Sequence, residues 1–343
     1  MAIAVLLAEL MGYEFGGEHE AEAFPASAHR YLVPSETLLP VEAAGLGVRD
    51  GGDLFGGVVP HPFIGTKSIT HPLLDDAGVV PAGWSATFPA AVARDVLAGY
   101  AAFAAGDARR AAVRMLRSGP VRVKRATGIG GSGQTLLDAP AAVDAAVAAI
   151  DPHELATYGC VVEEQLEDVV TCSVGRVAVG ALVATYCGTQ RLTSNHHGAT
   201  VYGGSDLVVA RGDFDVLLAL PLDAGLRVAV EQARRYDAAA DACFPGFYAS
   251  RRNYDIAQGR GADGRRRSGV LEQSWRIGGA SGAEIAALRA FAADPALAVV
   301  KAHTREVYGE CAIPDAALPL YAGADARVGP LTKYATVERD AHA

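Results

Sequence analysis

The strongest constraint on this chain is a set of strand-like runs joined by short links. The stretch "CSVGRVAVGALVATYCGTQRL" (172–192) holds two apolar runs and reads as an antiparallel meander. A second pair follows it. "NYDIAQG" (253–259) and "SGVLEQSW" (268–275) flank "RGADGRRR", where Asp263-Gly264 is a turn signal. Helical stretches lie between and around these runs. Residues 88 to 117 read as helix broken at Gly106, with Asp107 as N-cap of the second piece. "APAAVDAAVAAI" (139–150), "LRVAVEQARRYDAAADACF" (226–244) and residues 281–293 complete the helices. Mixed succession with antiparallel pairs in the second half favours an α+β fold over a purely parallel sheet.

At 343 residues, half of them hydrophobic, the chain can fill two or three packed units. The expected divisions are a small, loop-rich α/β unit (1–80), a smaller α+β lobe (81–165), a larger one (166–312) and a Pro- and Ala-rich tail (313–343). The net charge of −9 opposes a general nucleic-acid or anionic-membrane binder. Five scattered cysteines without a CxxC pair read as reduced thiols of a cytoplasmic protein. The start, "MAIAVLLAELMG", reads as a first strand or helix rather than a signal peptide. No apolar run reaches membrane-spanning length.

Two places carry chemistry. In "VRVKRATGIGGSGQTLL" (121–137), Val121 and Val123 point to one face of a strand and Arg122 and Lys124 to the other. A loop with four glycines in six positions follows. Such a loop is either a tight turn or an anion cradle, with backbone N–H groups closing on phosphates and Lys124 neutralising them. It is neither a P-loop nor a dinucleotide fingerprint, since it lacks the Gly-Lys-Ser/Thr ending and the later acid. In the second place, Asn253 and Asp255 share a face of one strand, while Glu272, Ser274 and Arg276 share a face of the next if that strand persists. Paired across the hairpin, Asp255 and Glu272 bring two hard oxygen donors to one site, a set that suits Mg²⁺. The alternative is an exposed sheet face with these acids paired to Arg251, Arg252 or Arg265 to Arg267.

Lys124 with its Gly-rich loop, a helix, "VVEEQL" (161–166), and then an acid followed by "EQSWR" (272–276) fall in the order seen in the ATP-grasp superfamily. Its Glu-x-Asn-x-Arg metal motif resembles "EQSWR", with Ser274 in the Asn place. Through "DLFGGVVPHPF", "YGGSDL", "SRRNYD" and "LEQSWRIGGASGAE", most of the chain also resembles an uncharacterised bacterial family distantly similar to ATP-grasp enzymes.

The resemblance implies an ATP-grasp-like α+β fold that holds the nucleotide between two lobes, behind the small α/β unit. It assigns the α- and β-phosphates to Lys124 and the triphosphate to the loop of Gly128, Gly130, Gly131, Ser132 and Gly133. Lys67, in "IGTKSITH", would be an earlier nucleotide-contacting lysine. Glu163, Glu164 and the backbone near Leu166 would face adenine at the hinge. Asp255, Glu272 and Ser274 would hold Mg²⁺, and Arg276 would face the reacting anion. No ribose-binding Glu follows the hinge at the usual spacing.

The implied activity is Mg-ATP-dependent ligation of a carboxylate to an amine or thiol through an acyl phosphate. The alternatives are a small-molecule kinase and a non-catalytic nucleotide-binding or interaction protein on a degenerate fold. The expected partners are small molecules, neither nucleic acid nor membrane, with a homodimer left open. The loop "TSNHHGATVYGG" reads as solvated or substrate-facing. Arg191, Tyr202 and Asp206 beside it either line an acceptor pocket or hold a turn.

Overall fold

The structure, a computed structural model, describes residues 1–19, 28–128 and 133–339. Its scaffold is two antiparallel sheets, one of four strands and one of eight. The small sheet contains β1 (Gly99–Ala102), β2 (Val121–Arg125), β3 (Gln134–Leu137) and β4 (Cys160–Glu164), in the order β1-β4-β2-β3. The large sheet takes β5 (Glu167–Val179), β6 (Leu182–Ser194), β7 (Thr200–Arg211), β8 (Arg251–Arg260), β9 (Arg266–Ser274), β10 (Val299–Val307), β11 (Leu318–Asp325) and β12 (Gly329–Glu338). Its order is β9-β8-β5-β6-β7-β10-β12-β11. The expected meander is therefore present and extends by a third long strand. The turn between β8 and β9 uses Gly264 at φ 73°, a left-handed geometry that glycine adopts freely.

Each face of the large sheet has its own cover. Cys172, Val174, Cys187, Tyr254, Ile256 and Val270 pack with the helix Ala224–Cys243. That helix starts where Asp223 accepts from the Leu226 N–H at 2.9 Å, and it buries Ala229, Val230, Ala233, Tyr236 and Ala240 at helical spacing. Over part of the opposite face, Tyr186, Leu207, Val209, Val300 and Ala302 meet the helix Ser281–Ala293. This helix is apolar almost all round because the helix Ala2–Met11 covers its outer side with Ile3 and Leu7. The small sheet buries Val121, Val123, Cys160 and Val162 beneath Ala108, Ala111 and Ala112 of the helix Ala105–Met115.

One expectation needs correction. Residues 88–117 are not a broken helix: a short helix, Thr87–Val92, and the helix Ala105–Met115 enclose the strand Gly99–Ala102. The segment "GYAA" has good helix formers, but backbone pairing with Cys160–Glu164 overrides that propensity. Gly106 lies inside the second helix, and the Asp107 carboxylate accepts from the Gly78 and Val79 N–H groups. The segment expected as a Pro- and Ala-rich tail is largely strand over its described residues. It forms β11 and β12, which extend the large sheet past β10. Among the described residues, no helix is long and apolar enough to cross a membrane.

Candidate functional site

Strand alternation puts Lys124 and Glu163 on the face of the small sheet opposite its helical core. Both are buried, at 4 % and 2 % exposure, and they form an ion pair. The other Glu163 oxygen lies 3.0 Å from His71 Nε2. Burial alone would raise the Glu163 carboxyl, but the Lys124 charge and the His71 bond hold it below its ordinary value. The imidazole fits there because residue 99 is glycine; a Cβ at Gly99 would stand 2.8 Å from the His71 ring.

Lys67 arrives from the other side on a short 3₁₀ turn, Lys67–Ile69. Its ammonium, 6 % exposed, donates to the Gly128 carbonyl at 2.8 Å and pairs with Glu272 Oε2 at 2.7 Å. Gln273 anchors this turn. Its buried Nε2 donates to the Ile64 and Thr66 carbonyls at 2.8 and 2.7 Å, while its Oε1 accepts from Tyr236 at 3.1 Å.

Asp255 and Glu272 stand directly opposite each other on β8 and β9. A bulge makes this pairing: Ile256 faces Val270 and Asp255 faces Glu272, so Leu271 is the extra residue. Leu271 joins Leu97, Leu166 and Ala257 in a small apolar cluster beside the acids. The Asp255 carboxyl is raised to about 6, first by burial and then by the Glu272 charge. Asn253 donates to it at 2.9 Å, and Ser173 Oγ lies 3.5 Å away. Behind them, Tyr186 OH lies 2.8 Å from Asn253 Oδ1 and 2.6 Å from Glu284 Oε1. Glu284 is locked by a fully buried Arg251 at 2.8 Å.

Three of the arginines that offered an alternative use for the acids are engaged elsewhere. Arg251 pairs with Glu284, Arg252 with Asp237 and Asp241, and Arg267 with Asp263. Among the described residues no group of three or more His, Cys, Asp or Glu converges. Two facing carboxylates fit Mg²⁺, which takes few protein oxygens and completes its shell with water and phosphate. Ser274 fits less well, since its hydroxyl accepts from the Arg251 guanidinium at 3.3 Å.

Where described, the other candidate residues have partners of their own. β9 ends at Ser274, Trp275 turns into the core, and Arg276 leaves the strand to pair with Glu36 at 3.4 Å. The strand does not persist through Arg276 because Arg251 takes the Ser274 and Arg276 carbonyls in place of a continued ladder. Glu163 is held inside the small sheet by Lys124 and His71. Glu164 accepts from the Ala98 N–H at 3.0 Å, and Leu166 contributes to the apolar cluster. Gly128 touches Lys67, and Gly133 turns at φ 68°; Gly130, Gly131 and Ser132 lie outside the described residues. Arg191 and Asp206 pair across β6 and β7, and Tyr202 bonds Ser205 of β7 and Thr304 of β10. Sequence reasoning missed His71, Gln273, Tyr186 and Glu284, whose roles depend on partners distant in the chain.

The chain is similar in structure to phosphoribosylamine–glycine ligase from Thermotoga maritima, at 13% identity and a TM-score of 0.49, over 98% of this chain and 89% of that one. It is also similar to D-alanyl-alanine synthetase A from Vibrio cholerae, at 13% identity and a TM-score of 0.43, over 72% and 67% of the two chains. No curated protein matches it. The family model described as "Protein of unknown function (DUF3182)" matches residues 1–335, and the chain belongs to that family.

Proposed function

We propose that the protein binds Mg-ATP between its two sheets and uses it to join a carboxylate to an amine or thiol. The observation that carries the reading is the Lys67 bridge, which links the start of the Gly-rich segment to the acid pair. Lys124 and Lys67 are both held on carboxylates, and each can exchange that partner for a phosphate oxygen. His71 and Glu163 fix the Lys124 ammonium, so little side-chain entropy remains to be lost on binding. Leu271, only partly buried over the core of Leu97, Leu166 and Ala257, would offer a flat base an apolar edge. Asp255 and Glu272 would hold the magnesium, which when bound offsets the charge of the triphosphate. Arg276, released from Glu36, would steady the acceptor carboxylate with its planar fork.

A second reading is a nucleotide binder without turnover. It draws on Arg251, which occupies the Ser274 hydroxyl, and on Lys67, which occupies Glu272. Calorimetry with ATP, with and without Mg²⁺, tests the shared part. Release of ADP and free phosphate with pooled carboxylic acids and amines separates the two readings. ATP binding without any turnover would favour the second, and no ATP binding would sink both.

A further inference from the structure

A cavity of about 820 Å³ lies at the junction of the two sheets, away from the face that carries Lys124. We propose that it is a binding site for a small amphipathic carboxylate, with an apolar body and a single anionic head. The inference goes beyond the nucleotide reading and does not depend on it.

The cavity opens where β1, β2 and β4 end. Val121 and Glu164 line it, and both point to the face of the small sheet opposite Lys124. One wall is made of small and apolar side chains, among them Pro89, Ala93, Val96 and Leu97. The facing wall comes from Ala262, in the turn between β8 and β9, and from Arg267 at the start of β9. This turn presses on the small sheet's side of the junction: a Cβ at Gly119 would stand 2.6 Å from that of Ala262. An occupant would therefore touch both sheets. The volume and the mostly apolar wall with a few charged groups match those of ordinary small-molecule sites.

Charge complementarity selects the head group. The Arg267 guanidinium is already balanced by Asp263 at 2.8 Å and Glu164 at 3.6 Å. Arg114 is different. It stacks over the Tyr100 ring at 5.4 Å, and no carboxylate among the described residues pairs with it. An exposed guanidinium without a carboxylate partner among the described residues, beside an apolar wall, suits a monoanion, which a carboxylate satisfies bidentately.

The test uses the full chain with octanoate as probe and octanamide as its neutral control, read by saturation-transfer NMR and calorimetry. Octanoate should bind saturably and octanamide at least about tenfold more weakly, the loss of one charge-assisted contact. Arg114→Gln should weaken octanoate by about the same factor. Ala93→Trp fills the cavity and should abolish binding. Both positions are exposed, so circular dichroism should report an unchanged fold. Absence of saturable octanoate binding overturns the proposal. Equal affinity for the amide, or affinity unchanged in both variants, overturns it as well.

Discussion

Lys67 Nζ lies 2.7 Å from Glu272 Oε2 while it donates to the Gly128 carbonyl at 2.8 Å, so one buried cation joins the acid pair of the large sheet to the segment that follows β2. A residue with two such partners is an obligate intermediary between them. Lys67→Met should weaken Mg-ATP binding about tenfold or more, in line with the loss of a charge-assisted contact. Calorimetric titration reads it, and an unchanged affinity would confine Lys67 to a structural part.

The Lys124–Glu163 pair makes a prediction about stability. Removing one member of a buried ion pair strands the other, at a cost of about 3 kcal/mol. Lys124→Met should lower the denaturant midpoint accordingly. Adding Glu163→Gln should recover part of the loss, because the stranded charge is gone. The double variant should still bind ATP poorly if Lys124 contacts phosphate.

Asp255 gives a pH dependence that metal-free protein should display. Its carboxyl is raised to about 6 by burial and by Glu272. A raised group stabilises the fold fully below its unfolded value of about 4 and loses that contribution as pH rises through its folded value. Asp255→Asn should therefore be more stable than wild type near pH 8, by on the order of 2 kcal/mol, and show little slope between about pH 4 and 7. Urea melts in chelator across that range decide it. Added Mg²⁺ should flatten the wild-type slope if the two acids hold the ion.

Gln273 should matter without touching ligand. Gln273→Leu leaves the Ile64 and Thr66 carbonyls without their shared donor, an expected cost of about 1–3 kcal/mol. Because those carbonyls lead into Lys67, the ATP affinity should fall too. Hydrogen exchange localised to residues 61–70 would separate this positioning effect from general loosening.

Much of the site was legible because it rests on alternation. Lys124 opposite the core follows from a period of two, whereas Asp255 opposite Glu272 needs the hairpin and also the bulge at Leu271, without which the turn's register would set Asp255 against Leu271. The partners that hold these groups were not legible. His71 meets Glu163 across 92 residues and Gln273 meets Ile64 across 209, and no local period encodes either meeting. Gly99–Ala102 escaped notice for a related reason: its strand character comes from the neighbour it pairs with, not from its own alanines. The strand ends at Ser274, short of Arg276, because Trp275 enters the core there, an event that alternation does not signal.

The bulge at Leu271 lets two consecutive residues look the same way, which a regular strand forbids. An apolar and an acidic side chain thereby stand as neighbours, Leu271 and Glu272, on one face of a single strand. Deleting Leu271 restores plain alternation without disturbing the register of Asp255 with Glu272. Such a shortened chain should keep the Asp255–Glu272 pair while losing the Leu271 contact with Leu97, Leu166 and Ala257, so that on the proposed reading Mg²⁺ binding survives and ATP affinity falls.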